Sequence, residues 1–250
     1  MTHACLLGPA GFIAGAGLPL TDRGFRYGMS VFETIAIRNG TPLLLAEHLA
    51  KLAEAAATAG FQPTALWRSA TRTLFDRPPI HEGVARIYIT AGDAAGSESR
   101  VAALFEHLPI PTTLGRSAAT TVEFTPALPF GKTGNYWPHF LARPADGSEA
   151  ILCQADGRVL GGTMSNLFLI CGGELLTPGH PIRSGVIRDW VRAREADLER
   201  GDLLQASSAF LTNSRFGIHA LTSIDGRTLA VDPRVESLWQ RYATEVLRAG

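Results

Sequence analysis

The sequence predicts a mixed α+β chain of two domains, and three observations carry that expectation. Many short segments alternate apolar and polar residues with a period of two while few show helical spacing, which favours mixed α+β over a doubly wound sheet. A proline-rich link, LPIPTT at 108–113, separates stretches that differ in composition and pattern, so a boundary falls within 108–118. Dividing there gives a small N-terminal domain, 1–113, and a larger C-terminal one, 114–250. A chain of 250 residues is also long enough for one or two cores that bury roughly 70–75% of the unfolded surface.

The first thirty residues are rich in glycine and read as short strands and turns. VFETIAI within 29–40 is a strand, closed by an Asn39-Gly40 turn that favours positive φ, with a second strand expected at 41–45. Glu33 and Thr34 then point to opposite faces. Leucines and alanines at helical spacing mark a helix over 45–60, stopped by Gly60, and a second helix fits 63–75 before Pro78-Pro79. Alternation predicts strands at 82–92, 100–107 and 118–125, with DAAGSES (93–99) as a turn. A helix over 135–143 leads to a hairpin of 149–154 and 158–160 around Asp156-Gly157. A further hairpin of 166–171 and 174–178 turns at Gly172-Gly173. The run 184–201 reads as the clearest helix, capped by Ser184. Strands at 205–213 and 217–224 and a helix over 232–248 close the chain.

Composition excludes several classes of function. Apolar residues make up 46%, and 23 basic residues balance 23 acidic ones, so no electrostatic footprint for nucleic acid or an anionic membrane is expected. No uncharged apolar run approaches the roughly 18 residues of a bilayer span. The opening MTHACLLGPAGFIAG lacks the basic flank of a signal peptide. Cys5, Cys153 and Cys171 are scattered without metal-ligand spacing, which predicts no metal and a reducing cytoplasm.

Chemistry is expected at Lys132. It stands alone among aromatic, glycine and proline residues in PFGKTGNYW (129–137), after the extended apolar run 120–130 and before the helix at 135. A lysine normally sits among charges and water. At a strand-to-helix junction, partial burial equips the amine to attack carbonyl groups.

Further segments accompany it: DRGFRYGMSVFETI (22–35), EHLAKL (47–52), GTMSNLFLI (162–170), TP (177–178), SGVIR (184–188) and LTNS (211–214). With GKTGNY (131–136), in this order, they resemble the class IV pyridoxal-phosphate enzymes, which include branched-chain and D-amino-acid aminotransferases and aminodeoxychorismate lyase. The resemblance runs from about residue 12 to 228. It implies the two-domain α/β architecture of fold type IV, like that of D-amino-acid aminotransferase. The cofactor would sit between the domains, Lys132 would belong to the C-terminal one, and the assembly would be a homodimer.

Residue by residue, the resemblance implies the following. Lys132 joins covalently to pyridoxal 5′-phosphate and moves protons on the bound amino acid. Tyr136 bonds the cofactor's phenolic oxygen, at the four-residue spacing of the lyases rather than the five of the branched-chain enzymes. Gly185, Val186 and Ile187 open a helix that suits the phosphate, with Ile187 in place of the family's threonine. Thr212, Asn213 and Ser214 form the second phosphate loop. Lys51 stands where the family has an arginine in H-x-x-R, keeping the charge without the rigid fork. Gly161 stands where the family has the glutamate that holds the pyridine nitrogen protonated, so the ring is a poorer electron sink. An acid from elsewhere, a reaction that tolerates a weak sink, and decayed catalysis all remain open. Arg86 is the expected substrate ligand with Tyr27 and Tyr88 beside it, and Thr34 matches the catalytic threonine of the lyases. Ala91 replaces the carboxylate-trapping arginine of D-amino-acid aminotransferases. Glu47 and His48 read as helix residues without chemistry. The expected function is transfer of an amino group between an amino acid and a 2-oxo acid. The alternatives are aminodeoxychorismate lyase and an inactive relative that binds a phosphorylated ligand or a protein.

Overall fold

The computed structural model describes residues 2–126, 132–146, 148–180 and 183–248, so the 127–131 approach to Lys132 lies outside the described residues. The chain forms two compact units. The first is Met1–Ile110 with Lys132–Asn135 and Val246–Gly250, and the second is Pro111–Gly131 with Tyr136–Glu245.

In the first unit the elements are β1 (Thr2–Gly8), β2 (Gly11–Ala14), α1 (Arg23–Tyr27), β3 (Ser30–Arg38), β4 (Thr41–Pro42), α2 (Leu45–Thr58), α3 (Trp67–Asp76), β5 (Gly83–Thr90) and β6 (Val101–Glu106). The strands make one antiparallel sheet in the order β2-β1-β6-β5-β3-β4. Odd-numbered residues of β3, Val31, Ile35 and Ile37, join Leu49 and Leu52 of α2 and Phe75 of α3 in the core. Glu33 shares their parity and therefore their face. Asn39 and Gly40 turn at positive φ as their types favour, but the following strand stops at Pro42. Leu44, at φ 52, reverses the chain directly into α2, which shortens the strand expected at 41–45. The DRG turn is fixed by a fully buried carboxylate: Asp22 accepts from Gly24 N at 2.6 Å, Thr90 Oγ1 at 2.8 Å and Arg100 at 2.9 Å.

The second unit holds β7 (Gly115–Glu123), α4 (Trp137–Leu141), β8 (Glu149–Cys153), β9 (Val159–Gly162), β10 (Asn166–Cys171), β11 (Glu174–Pro178), α5 (Val186–Val191), β12 (Arg194–Ala196), α6 (Arg200–Gln205), β13 (Ser208–Asn213), β14 (Gly217–Ile224), β15 (Arg227–Thr228) and α7 (Pro233–Tyr242). Its sheet runs β12-β11-β10-β13-β14-β7-β8-β9, with β15 added on β14. Apolar side chains of β8, β10, β13 and β14 fill the core on one face, among them Ile151, Leu167, Leu169, Leu211 and Leu221.

Three expectations change here. The single helix over 184–201 is instead a helix, a strand and a helix. Arg192 takes the left-handed conformation at φ 59 and ends α5, residues 194–196 pair in parallel with β11, and a Glu199–Asp202 capping box starts α6. Strand pairing has overridden helix propensity. The cap is Gly185, extended and without a side-chain bond, rather than Ser184. Lys132, expected with the C-terminal half, belongs to the first unit. Its carbonyl accepts from Phe32 N at 3.0 Å, Thr133 bridges Val31, and Gly134 N donates to Ser30 O at 2.8 Å, so 132–135 runs as an added edge along β3. Among the described residues no helix is long and apolar enough to cross a membrane.

Candidate active site

The first unit brings Lys132 to a buried carboxylate. Lys132 Nζ donates to Glu33 Oε2 at 2.7 Å, and the same oxygen accepts from His48 Nδ1 at 2.8 Å. A carboxylate only accepts, so His48 carries a proton on Nδ1. Burial alone would raise the Glu33 carboxyl, but the Lys132 charge and the His48 hydrogen bond outweigh it and hold the group at about 2. Burial lowers His48 and the Glu33 contact only partly opposes it, so the imidazole is neutral at pH 7. The lysine thus meets an ionised acid that is locked from behind by a neutral donor.

The sequence reading placed Glu33 only by its face and took His48 as a helix residue without chemistry, whereas here His48 bonds the acid that meets the lysine. Alternation does put Glu33 and Thr34 on opposite faces, but a single sequence leaves open which face receives the lysine. The lysine goes to Glu33. Thr34 lies on the other face and pairs in register with Arg86, as Phe32 does with Tyr88. There Tyr88 stacks on Phe32 at 5.3 Å, and the Arg86 guanidinium is engaged by Glu106 across the sheet. Tyr27, on α1, is exposed beneath the Arg26 guanidinium. Lys51 lies one turn beyond His48 on α2, half-buried.

The second unit gathers another cluster. Asn166 and Thr212 are register partners on β10 and β13. A Cβ at Gly185 would lie 2.1 Å from Asn166 Oδ1, so only glycine permits that approach. Asn213 Nδ2 donates to Met164 O at 3.3 Å, and its Oδ1 accepts from the amides of Arg215 and Phe216. Among the described residues, the buried hydroxyls of Thr212 and Ser165 have no protein partner. Val186 and Ile187 turn their side chains into buried surroundings, and Ser214 is nearly buried. Tyr136 stacks on His139 at 4.6 Å, and the Arg183 guanidinium lies over the Tyr136 ring at 5.5 Å.

Gly161 takes φ +123, a conformation that side chains rarely adopt, and a Cβ there would meet Ser165 O at 3.3 Å. The acid nearest this turn in the hydrogen-bond pattern is Glu149, which accepts from Thr163 Oγ1 and, at 2.9 Å, from Met164 N. It faces the neighbouring position: a Cβ on Gly162 would lie 3.2 Å from its carboxyl carbon. Arg183, buried, donates to Gly162 O at 3.1 Å and Thr163 O at 2.7 Å. The turn that lacks an acid at 161 therefore carries a buried cation, which sequence reading passed over because Arg183 stands in no quoted motif.

Comparison with known proteins follows this geometry. The family model described as amino-transferase class IV matches residues 30–224. The chain is 28% identical to a D-alanine aminotransferase from Bacillus licheniformis over 84% of each chain. It is also similar to the crystal structure of 4-amino-4-deoxychorismate lyase from Pseudomonas aeruginosa, with a TM-score of 0.76 and 27% identity over 92% of this chain and 96% of that one. A hypothetical aminotransferase from Mycobacterium tuberculosis, in its PLP-bound form, shares the fold with a TM-score of 0.79 and 21% identity, covering 99% of this chain and 100% of the other.

Proposed function

The chain belongs to the class IV aminotransferases, and from that premise we propose that it is a pyridoxal-phosphate-dependent aminotransferase. It would move an amino group between an amino acid and a 2-oxo acid. The observation that carries this reading is Lys132, a partly buried amine held at 2.7 Å by an ionised, buried carboxylate instead of standing in water.

Taken separately, each unit holds a group whose chemistry suits part of the cofactor. Lys132 offers the amine for covalent attachment, and the unpartnered Thr212 hydroxyl, beside Asn166, offers a donor to an anion. On this reading Thr212, Asn213, Ser214, Gly185, Val186, Ile187 and Lys51 hold the phosphate, and Tyr136 holds the phenolic oxygen. When bound, pyridoxal phosphate supplies an aldehyde carbon that captures amines and a ring that delocalises negative charge. Lys132 would anchor it and, once released, act as the base that takes up and returns the proton of the substrate's α-carbon, as a single amine can serve as nucleophile and then as base. Arg86, Tyr88 and Tyr27 orient the substrate, and Thr34 assists. On this reading glycine at 161 leaves the family's ring-nitrogen position without its acid, and Glu149, beside that turn, is engaged by Thr163 and Met164. The working form on this reading is a homodimer.

A second reading has its own support. Tyr136 follows Lys132 by four residues, the spacing of the lyases, and the Pseudomonas aeruginosa lyase is 27% identical. It makes the activity release of pyruvate from aminodeoxychorismate, leaving 4-aminobenzoate.

The experiment is direct. Purified protein is loaded with pyridoxal phosphate, reduced with borohydride and digested. The pyridoxyl group is expected on the Lys132 peptide, and Lys132→Ala is expected to lose the absorbance near ~400 nm that marks the lysine-bound cofactor. Labelling elsewhere would remove Lys132 from its role. Loaded enzyme given alanine of either hand with 2-oxoglutarate, or aminodeoxychorismate alone, then separates transfer from elimination. Pyruvate from the second incubation alone would select the lyase.

A further inference from the structure

The reading above uses Lys132 but leaves its two buried companions unexplained. Glu33 is 4% exposed and His48 1% exposed, and one carboxylate oxygen, Glu33 Oε2, takes a hydrogen bond from each neighbour. Burying an acid and an imidazole together is costly unless each is satisfied. Here the contacts come from three separate pieces of chain. Glu33 is on β3, His48 on α2, and Lys132 on the segment laid along β3. The carboxylate is therefore aimed by α2 and in turn fixes the end of the lysine.

We propose that Glu33, oriented by His48, is the positioning residue of Lys132: it holds the ammonium at one point whenever the amine carries a proton and is not joined to a ligand. This rests on Lys132 being the reacting amine. The chemistry is a proton transfer only. When Lys132 takes a proton from a substrate carbon, the C–H electron pair stays with the carbon, the nitrogen lone pair forms the new N–H bond, and Nζ gains a full positive charge. Glu33 then faces that charge at hydrogen-bond distance in a buried setting, where attraction is several-fold stronger than in water. Glu33 itself takes no proton, since its carboxyl is held far below neutral pH. His48, bonded to that same oxygen, keeps the carboxylate from swinging away from the lysine. A purely structural pair would fasten residues 132–135 to β3, yet backbone bonds from Phe32 and Gly134 already do so.

The chain supplies its own control, because its two lysines are Lys51 and Lys132. Cofactor-free protein at pH 7 is treated with formaldehyde and cyanoborohydride, and the methylation rate of each lysine is read by peptide mass spectrometry. Glu33→Gln keeps the shape and removes the counter-charge, and the Lys132 to Lys51 rate ratio is expected to rise by roughly tenfold. His48→Leu is expected to raise it in the same direction by a smaller factor. His48→Asn can donate from nearly the Nδ1 position and is expected to stay within about twofold of wild type. In loaded protein, Glu33→Gln should lower kcat with little change in KM, as loss of an aimed amine rather than of binding requires. Should Glu33→Gln fail to fold, the contrast between His48→Leu and His48→Asn decides. An unchanged ratio in folded variants, with the cofactor still reduced onto Lys132, would overturn the positioning role alone. Absence of a pyridoxyl group on Lys132 in wild type would overturn the parent reading and this proposal together.

Discussion

Lys51 and Lys132 differ in what surrounds them. Lys132 ends on a buried acid, whereas Lys51 is half-buried on α2, three residues after His48 and so near its face. If Lys51 serves the phosphate where relatives use arginine, Lys51→Ala should weaken pyridoxal-phosphate binding by about 1.5–3 kcal/mol, the worth of a charge-assisted bond. Lys51→Arg should bind at least as tightly, because a guanidinium offers a two-pronged donor. Equilibrium titration of the cofactor into the three proteins checks this, and equal dissociation constants for wild type and Lys51→Ala would show that Lys51 does not touch the phosphate. The contrast also marks how far side-chain roles were legible. Lys132 announced itself by standing alone among apolar neighbours. His48 gave no such signal, because its partner is 15 residues away on another element, and Glu33 and Lys132 are 99 apart. Periodicity reports which face a residue takes, and says nothing about what the fold later lays against that face.

At the scale of elements, most strands were readable because alternation and turn chemistry agree, as at Asn39-Gly40 and in the 166–178 hairpin. The run after Ser184 was misread for a physical reason. Its composition suits a helix, but helix formation competes there with parallel pairing of 194–196 along β11, and a left-handed Arg192 resolves the competition. Gly161 gives the sharpest test at this scale. Restoring the family's acid would place a side chain at φ +123 with its Cβ 3.3 Å from Ser165 O. Gly161→Glu is therefore expected to lose about 1–3 kcal/mol of stability to backbone strain, read by chemical denaturation of the cofactor-free protein. Its deprotonation of an amino donor, followed by single-turnover absorbance, should nevertheless rise if the missing carboxylate limits the ring as a sink. A well-folded variant with an unchanged rate would mean that the reaction here does not depend on that carboxylate.

Over the whole molecule, each compact unit contains a buried histidine kept neutral, His48 in the first and His139 in the second. His139 is lowered to about 4, chiefly by burial and further by the charge of Arg183. The sign follows from linkage. An unfolded histidine titrates near 6.5, so between about 6.5 and 4 the unfolded chain binds more protons than the folded one. Stability from His139 is complete above that window and is lost as the pH falls through it. One extra proton bound on unfolding sets a limit of about 1.4 kcal/mol per pH unit for each such histidine. Glu33 adds a separate, later loss: its folded value is depressed to about 2, so its contribution fades only as the pH falls below roughly 4 toward 2. The thermal midpoint should therefore begin to fall below about pH 6.5, before the carboxylates titrate. His139→Phe isolates the cause, since the new ring can keep the stacking on Tyr136 and the tilted contact with Phe124, at 4.6 and 4.9 Å in wild type, and cannot take up a proton. Melting curves from pH 7.5 to 4.5 should show a shallower decline for His139→Phe than for wild type, with the two converging in slope above pH 7. Parallel curves across the whole range would show that His139 takes up its proton as readily in the folded protein as in the unfolded one, and the acid sensitivity of the second unit would then have to arise from its carboxylates.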